Sequence, residues 1–373
     1  MVHLSKRYGA IVALCLLLAM MSLHAFLSKP AFADGMPNQT LADAPVQHSK
    51  LFLFIQGVDT SLPASDARDG IISAQETFGI PNGLYPFLKA TYPQASFLMF
   101  SYNGDNGEGI PTAYDCQDST ADKAIGYAPS NTLKTYSIRL NTQLQHYLAG
   151  KPATDVYLVS HSLGGTVAFS YLAYLKSLNA LDTSIAGTTS RVKGVITLDS
   201  LIGGIAGGLA YAKEALAVFA QSGSPCPSLQ KHHITLSTAM QVSAIFQQAR
   251  PPIGGTNSVM SVVFGPSITN QSLAEEAARD GMQILTVGNV YDFIFEPGAC
   301  NSSYENFLSS QWLADEGNTS GVYGRTFASG DTTCTSLSQL DQNHSLVLTD
   351  DNTHQAIEQL VDGRPVTALR RSP

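Results

Sequence analysis

A short apolar strand that runs into a tight turn and then directly into an apolar helix most constrains how this chain can fold. Residues 156–159 form the expected strand, residues 166–175 form the expected helix, and Ser162 lies at the apex between them. A serine at such an apex has its hydroxyl exposed above the end of a sheet. Strand and helix nearly touch there, so small neighbours are required. Gly164 and Gly165 meet that requirement downstream, while Ser160 replaces the usual upstream glycine.

Apolar strand patterns alternate with helical patterns on both sides of this turn. The further predicted strands are 50–55, 95–102, 192–198 and 282–287, and the further predicted helices are 84–92, 131–148 and 353–361. This alternation is typical of βαβ units. We therefore expect an α/β chain whose central sheet is mostly parallel and flanked by helices.

Residues 200–281 break the alternation. Four glycines between positions 203 and 208 open this segment, and an apolar helix face follows between residues 211 and 219. Lys213 and Glu214 interrupt the apolar run, which excludes a membrane span. We interpret the segment as a helical cap or lid insertion, and the alternative is that its apolar face packs on the sheet.

The first 33 residues have the pattern of a secretory signal peptide. Lys6 and Arg7 form a basic start, residues 11–21 form an apolar core, and Ala31-Phe32-Ala33 is a small-residue cleavage site. The apolar core is too short for a membrane anchor. We therefore expect a secreted, extracellular protein whose mature chain is 34–373.

Four cysteines remain after the predicted cleavage: Cys116, Cys226, Cys300 and Cys334. An even number of cysteines in an exported chain is typical of two disulfides. Three pairings are open, and we favour Cys300 with Cys334 and Cys116 with Cys226. The spacings do not resemble those of a zinc site, and we expect no metal.

The charge of the mature chain argues against two classes of partner. It carries 18 basic and 29 acidic residues, a net charge of about −11, and it has no basic cluster. Nucleic acid and anionic membrane surfaces both attract basic patches. We therefore expect neither of them as a partner.

A serine hydroxyl becomes a nucleophile only when an oriented base removes its proton. Among the nine histidines, His344 is the best candidate base because it lies in a polar loop just before the last predicted helix. His354 lies within that helix, where a solvated side chain is expected. His161 adjoins Ser162, and at a tight turn its side chain should point away from it.

Two aspartates are candidates for the acid that orients the base. Asp292 follows strand 282–287 and Asp199 follows strand 192–198, and each gives the chain order serine, aspartate, histidine. We favour Asp292. Asp199 remains the alternative acid, or a polar cap at the start of the insertion.

An oxyanion needs preorganised hydrogen-bond donors. The backbone N–H of Leu163, directly after Ser162, is one candidate. The N–H of Val58 is the other, because Gly57 permits a sharp backbone path after the first strand. Gln56 stands where a histidine often precedes this glycine.

With these residues in this order, the chain resembles the exported lipase and esterase-like branch of the α/β-hydrolase superfamily. The resemblance rests on residues 55–58, on residues 160–165 and on the positions of Asp292 and His344. It implies the α/β-hydrolase fold, with 34–373 as the catalytic domain. It also implies a Ser162–His344–Asp292 triad that cleaves small-molecule or lipid esters through an acyl-enzyme, with no cofactor.

Two groups of alternatives stay open at the level of sequence. An amidase, a thioesterase or an acyltransferase would use the same fold and the same residues. A hydrolase-fold binding protein without catalysis is the other alternative, and loss of a triad residue would be its mark. All three triad residue types are present here.

Overall fold

The computed structural model describes eleven stretches of the chain, and all of them belong to one compact unit, Gln47–Pro373. They are residues 48–57, 78–113, 129–151, 153–178, 191–200, 202, 268–289, 291–292, 321–327, 329–330 and 342–366. The predicted signal peptide, Val58 and the four cysteines proposed to form disulfides lie outside the described residues.

The described strands form one six-stranded sheet in which every neighbouring pair is parallel. The strands are β1 (Ser49–Ile55), β2 (Ser96–Met99), β3 (Thr154–His161), β4 (Val192–Leu198), β5 (Gln283–Asn289) and β6 (Val322–Phe327). Their order across the sheet is β2-β1-β3-β4-β5-β6. The predicted α/β class with a mostly parallel central sheet is confirmed, and β6 is a strand that the sequence pattern did not predict.

Helices flank this sheet in two groups. They are α1 (Leu84–Thr91), α2 (Pro129–Leu148), α3 (Leu163–Ser177), α4 (Asn270–Arg279) and α5 (Asp351–Val361). On one face α2, α3 and α4 pack together, and Lys176 of α3 forms an ion pair with Glu276 of α4 at 2.6 Å. On the other face α1 packs against α5, where Tyr92 donates to Asp362 at 2.9 Å.

The hydrophobic core lies along the central strands. Residues 51–55 of β1 are all 0% exposed. A strand covered on both faces has no solvent side, so it is apolar at every position rather than at alternate ones. This is why the sequence of β1 is a continuous apolar run.

His354 corrects one sequence expectation, because its side chain is buried rather than solvated. It is 4% exposed, its Nε2 donates to the carbonyl of Leu348 at 2.9 Å, and its ring stacks on Phe87 with centroids 4.5 Å apart. The histidine lies on the face of α5 that meets α1. At the start of the same helix, Asp350 is the N-cap residue and accepts from the N–H of Thr353 at 2.7 Å.

Helix α4 lies at the end of the segment predicted to form a cap. Thr269 and Ser272 form a reciprocal capping box at its start, and the helix packs against α3 and β5. It therefore belongs to the layer that covers the sheet. Residues 201 and 203–267 lie outside the described residues, so the cap itself stays a prediction. Within the described part of the chain, no helix has the length and apolarity needed to cross a membrane.

Candidate active site

Ser162 occupies a strained turn between the last residue of β3 and the first residue of α3. Its backbone angles are φ 56° and ψ −127°, and its N–H donates to the carbonyl of Leu198 at 3.0 Å. These angles match the first central position of a type II′ turn, which favours glycine. Holding a serine there costs about 1–3 kcal/mol. The predicted strand-turn-helix is present, and the side chain of Ser162 lies at the carboxyl edge of the sheet.

The two glycines after Ser162 let helix and sheet approach each other. A Cβ atom on Gly164 would lie 2.0 Å from the carbonyl oxygen of Ile55, and one on Gly165 would lie 2.1 Å from Oγ of Ser200. No larger residue fits at Gly164 unless β1 and α3 separate. On the upstream side, the buried Ser160 hydroxyl donates to the carbonyl of Ile196 at 2.7 Å and so binds β3 to β4.

His344 and Asp292 form a buried hydrogen-bonded pair. The distance from His344 Nδ1 to Asp292 Oδ2 is 2.6 Å, and the two residues are 5% and 0% exposed. A carboxylate accepts, so Nδ1 carries the hydrogen and Nε2 of the neutral imidazole is left as the acceptor. An imidazole held in this way can remove a proton from a hydroxyl that reaches its Nε2.

Two buried asparagines join the Asp292 turn to the His344 segment. Asn289 donates from its side-chain amide to the carbonyls of Ser329 and Asn343 at 2.8 and 3.0 Å. Asn343 in turn donates to the carbonyl of Tyr291 at 2.8 Å. Sequence reasoning did not single out these residues. The available signal was an asparagine at the end of an apolar strand and another directly before the candidate base.

Asp199 lies in the same cluster, although it does not contact His344 as Asp292 does. It is 0% exposed, and its Oδ1 accepts from the N–H of Asn289 at 2.6 Å. Burial and the neighbouring Asp292 carboxylate raise the pKa of Asp199 well above its usual range. Its hydrogen bond goes to the end of β5, and residues 201 and 203–267 of the insertion that it was considered to cap lie outside the described residues.

His161 contradicts the expectation that its side chain points away from the site. Its Nε2 donates to the backbone carbonyl of His344 at 3.0 Å, and the two imidazole rings lie 4.5 Å apart. The ring also meets Phe78 edge to face at 6.4 Å. The chain turns so sharply between His161 and Ser162 that both side chains lie at the same edge of the sheet.

Of the two predicted oxyanion donors, only the N–H of Leu163 lies within the described residues. Leu163 is the first residue of α3, and the first N–H groups of a helix have no partner within that helix. Gly57 lies against Ser162, since a Cβ atom on it would be 2.7 Å from Ser162 Cβ and 3.0 Å from Oγ. The chain therefore passes the hydroxyl directly before Val58, which lies outside the described residues.

Among the described residues, only Asp199, Asp292 and His344 form a cluster with the donor atoms of a metal site. One donor atom of each lies within 4.8 Å of the others. The 2.6 Å separation of His344 Nδ1 and Asp292 Oδ2 is that of a direct hydrogen bond. These two atoms therefore already bind each other, and we interpret the cluster as an imidazole oriented by a carboxylate rather than as a metal site.

No protein-family model matches the chain, and no curated protein sequence matches it. Several solved structures are similar to it. The siderophore hydrolase EstB from Aspergillus fumigatus has a TM-score of 0.44 and 10% identity, over 85% of this chain and 93% of that one. A structure from work on carboxylesterases of the thaumarchaeon Nitrososphaera gargenis has a TM-score of 0.39 and 11% identity, over 84% and 90%.

Phospholipase PlaB from Legionella pneumophila is a further similar structure, with a TM-score of 0.37 and 11% identity. The match covers 65% of this chain and 38% of PlaB, so the chain corresponds to about two fifths of that protein. All of these scores are low. The chemistry of the site therefore rests on this chain's own residues.

Proposed function

We propose that this chain, which has the α/β-hydrolase fold, is a serine hydrolase that cleaves carboxylic esters. The fold follows from the parallel sheet, the turn at Ser162 after β3, Asp292 after β5 and His344 after β6. One observation is the main support for this proposed function. A buried imidazole, oriented by a carboxylate at 2.6 Å, lies against the residue that precedes a strained serine.

The mechanism assigns one role to each group. Ser162 Oγ attacks the ester carbonyl while its proton passes to Nε2 of His344, and Asp292 stabilises the resulting imidazolium through Nδ1–H. The N–H groups of Leu163 and Val58 donate to the oxyanion. When the tetrahedral intermediate collapses, the ester C–O bond breaks and His344 gives the proton to the leaving alcohol.

Water completes the cycle. His344 takes a proton from water, the hydroxide attacks the acyl-enzyme on Ser162, and the carboxylic acid leaves as the serine proton returns. Every proton in this scheme moves through His344, so no cofactor takes part. We also propose that the enzyme acts outside the cell, since residues 1–33 have the pattern of a signal peptide.

The first experiment asks whether Ser162 reacts as a nucleophile. We expect a fluorophosphonate probe to label the protein, and we expect Ser162→Ala to abolish the labelling. Ser177→Ala is the matched control, because Ser177 is exposed near the end of α3. Labelling that persists in Ser162→Ala, or no labelling of a folded wild-type protein, contradicts a serine hydrolase and supports a binding protein.

A second measurement separates the substrate classes. We expect p-nitrophenyl esters of increasing acyl length to be hydrolysed by the wild-type protein and not by Ser162→Ala. The corresponding anilides and thioesters test the amidase and thioesterase alternatives. Faster turnover of either class than of the ester with the same acyl group contradicts the ester assignment while leaving the nucleophile intact.

A further inference from the structure

The candidate active site contains a second buried carboxyl group that the proposed mechanism does not use. Asp199 follows β4 and Asp292 follows the adjacent strand β5. Both residues are 0% exposed, and a donor atom of each lies within 4.8 Å of the other and of His344. Two carboxyl groups therefore lie close to one buried imidazole, and only that of Asp292 is hydrogen-bonded to it.

The hydrogen bonds of the two carboxyl groups are unequal. Asp292 accepts from the imidazole of His344 at 2.6 Å. Asp199 accepts one backbone N–H on Oδ1, from Asn289, and its buried Oδ2 has no hydrogen-bond partner among the described residues. An ionised carboxylate accepts at about four sites, so a buried one with a single donor is costly to keep charged.

Electrostatics points in the same direction. Among the described residues, the titratable groups at Asp199 are the Asp292 carboxylate and the His344 imidazole, with His161 behind the latter. Two buried carboxylates this close cannot both ionise without a large repulsion. Asp292 accepts the imidazole N–H of His344, and burial together with the neighbouring Asp292 raises the pKa of Asp199 well above its usual range.

We propose that Asp199 is a protonated, neutral carboxylic acid in the resting enzyme and that it acts as a positioning residue for the Asp292–His344 pair. The proposal rests on the proposed function. The cluster then carries one negative charge, that of Asp292. When His344 takes the proton of Ser162, imidazolium and carboxylate form a buried pair with no net charge.

The neutral carboxyl group of Asp199 also fixes the geometry of the turn that carries Asp292. Its Oδ1 binds the N–H of Asn289, and the amide of Asn289 binds the carbonyl of Asn343 directly before His344. Asp199 thus reaches the base through Asn289, without touching the reacting atoms. This excludes it as an equivalent second acid of the triad.

The test begins with infrared spectroscopy of protein labelled with ¹³C in the aspartate carboxyl groups. At neutral pH we expect the carbonyl stretch of a protonated aspartic acid, with an isotope shift, in the wild-type protein. The band must persist in Ser162→Ala and disappear in Asp199→Asn. Because Ser162→Ala has no reactive serine, the band tests Asp199 separately from the proposed function. Absence of the band at neutral pH in the wild-type protein overturns the proposal.

Kinetics supply the second readout. Asparagine is nearly isosteric with the protonated acid and keeps an acceptor for Asn289 N–H, so Asp199→Asn should change kcat/KM by less than about tenfold. Asp292→Asn should lower it by about 10⁴-fold, as expected when the residue that orients the base is neutralised. An equal loss in the two variants, with both folded, overturns the proposal.

The pH profile distinguishes a charged Asp199 from a neutral one. Removing a negative charge beside His344 would make the base harder to protonate and would move the acidic limb of kcat/KM to lower pH. A neutral Asp199 predicts that this limb is unchanged in Asp199→Asn. A shift of the limb by a full pH unit shows that Asp199 was ionised and refutes its neutral role.

Discussion

At the scale of single residues, His161 links the nucleophile turn to the proposed base. Its side chain is buried, and its Nε2–H donates to the backbone carbonyl of His344. Burial and the neighbouring His344 lower the pKa of His161 to about 3. The ring is therefore neutral under physiological conditions and serves as a fixed donor.

His161 makes the stability of the protein dependent on pH. Its ordinary pKa is 6.5, so between pH 6.5 and about 3 the unfolded chain binds a proton that the folded chain does not. The free energy of unfolding should therefore decrease as the pH falls through this window, by about 1.4 kcal/mol per pH unit from this group. Urea unfolding at pH 7 and pH 5 measures it, with His161→Gln as the variant that cannot titrate.

The expected result is a smaller difference between pH 7 and pH 5 in His161→Gln than in the wild-type protein. Glutamine retains an N–H that can donate to the carbonyl of His344, whereas His161→Phe removes the donor. We therefore expect His161→Phe to lose more kcat than His161→Gln. The same pH dependence in wild-type protein and His161→Gln would show that His161 is charged when folded.

At the scale of elements, the approach of α3 to β1 fixes where the Ser162 hydroxyl lies. The structure leaves no room for a side chain at Gly164, since the obstructing atom is the backbone carbonyl oxygen of Ile55 at 2.0 Å from a Cβ. Backbone cannot rotate away as a side chain can. The contact therefore sets the distance between strand and helix.

Gly164→Ala tests this contact. Alanine is a better helix former than glycine by about 1 kcal/mol, so helix propensity alone predicts stabilisation. Overpacking costs about 1–3 kcal/mol and should exceed that gain, so we expect a lower melting temperature and slower ester hydrolysis. The control, Ser177→Ala in the exposed last turn of α3, should change stability by less than about 0.5 kcal/mol. A more stable Gly164→Ala would show that β1 and α3 can separate freely.

Strand β6 shows why the sequence pattern missed one element. Its residues, Val322–Phe327, include Gly324 and Arg325 and contain no continuous apolar run. It pairs with β5 along one side and is the last strand in the sheet order. Among the described strands none pairs with its other side, so its sequence does not need the apolar run that marks β1.

At the scale of the whole molecule, the parallel sheet gathers residues that are distant in sequence. The register pairs Ile55 with Ser160, His161 with Leu198, and Leu198 with Val287. The carboxyl ends of these strands therefore meet at one edge. Loops from that edge supply the proposed nucleophile, the acid and its neutral neighbour.

The first 33 residues also carry the prediction of export. We expect the protein recovered outside the cell to begin at Asp34, since residues 31–33 form a cleavage site. The same protein should contain two disulfides among its four remaining cysteines. Intact mass before and after reduction and alkylation measures both, and peptide mapping gives the pairing. An uncleaved chain or four free thiols would contradict the prediction.

The sequence alone determined the fold class, the tight turn at Ser162 and the chain order of serine, aspartate and histidine, because these depend on local periodicity and spacing. Only the tertiary structure decided which buried groups touch. Whether Asp292 or Asp199 binds His344, and whether His161 faces it, depends on loops that leave different strands at one edge of the sheet. Their contacts span up to 183 residues of sequence, and no local pattern encodes such distances.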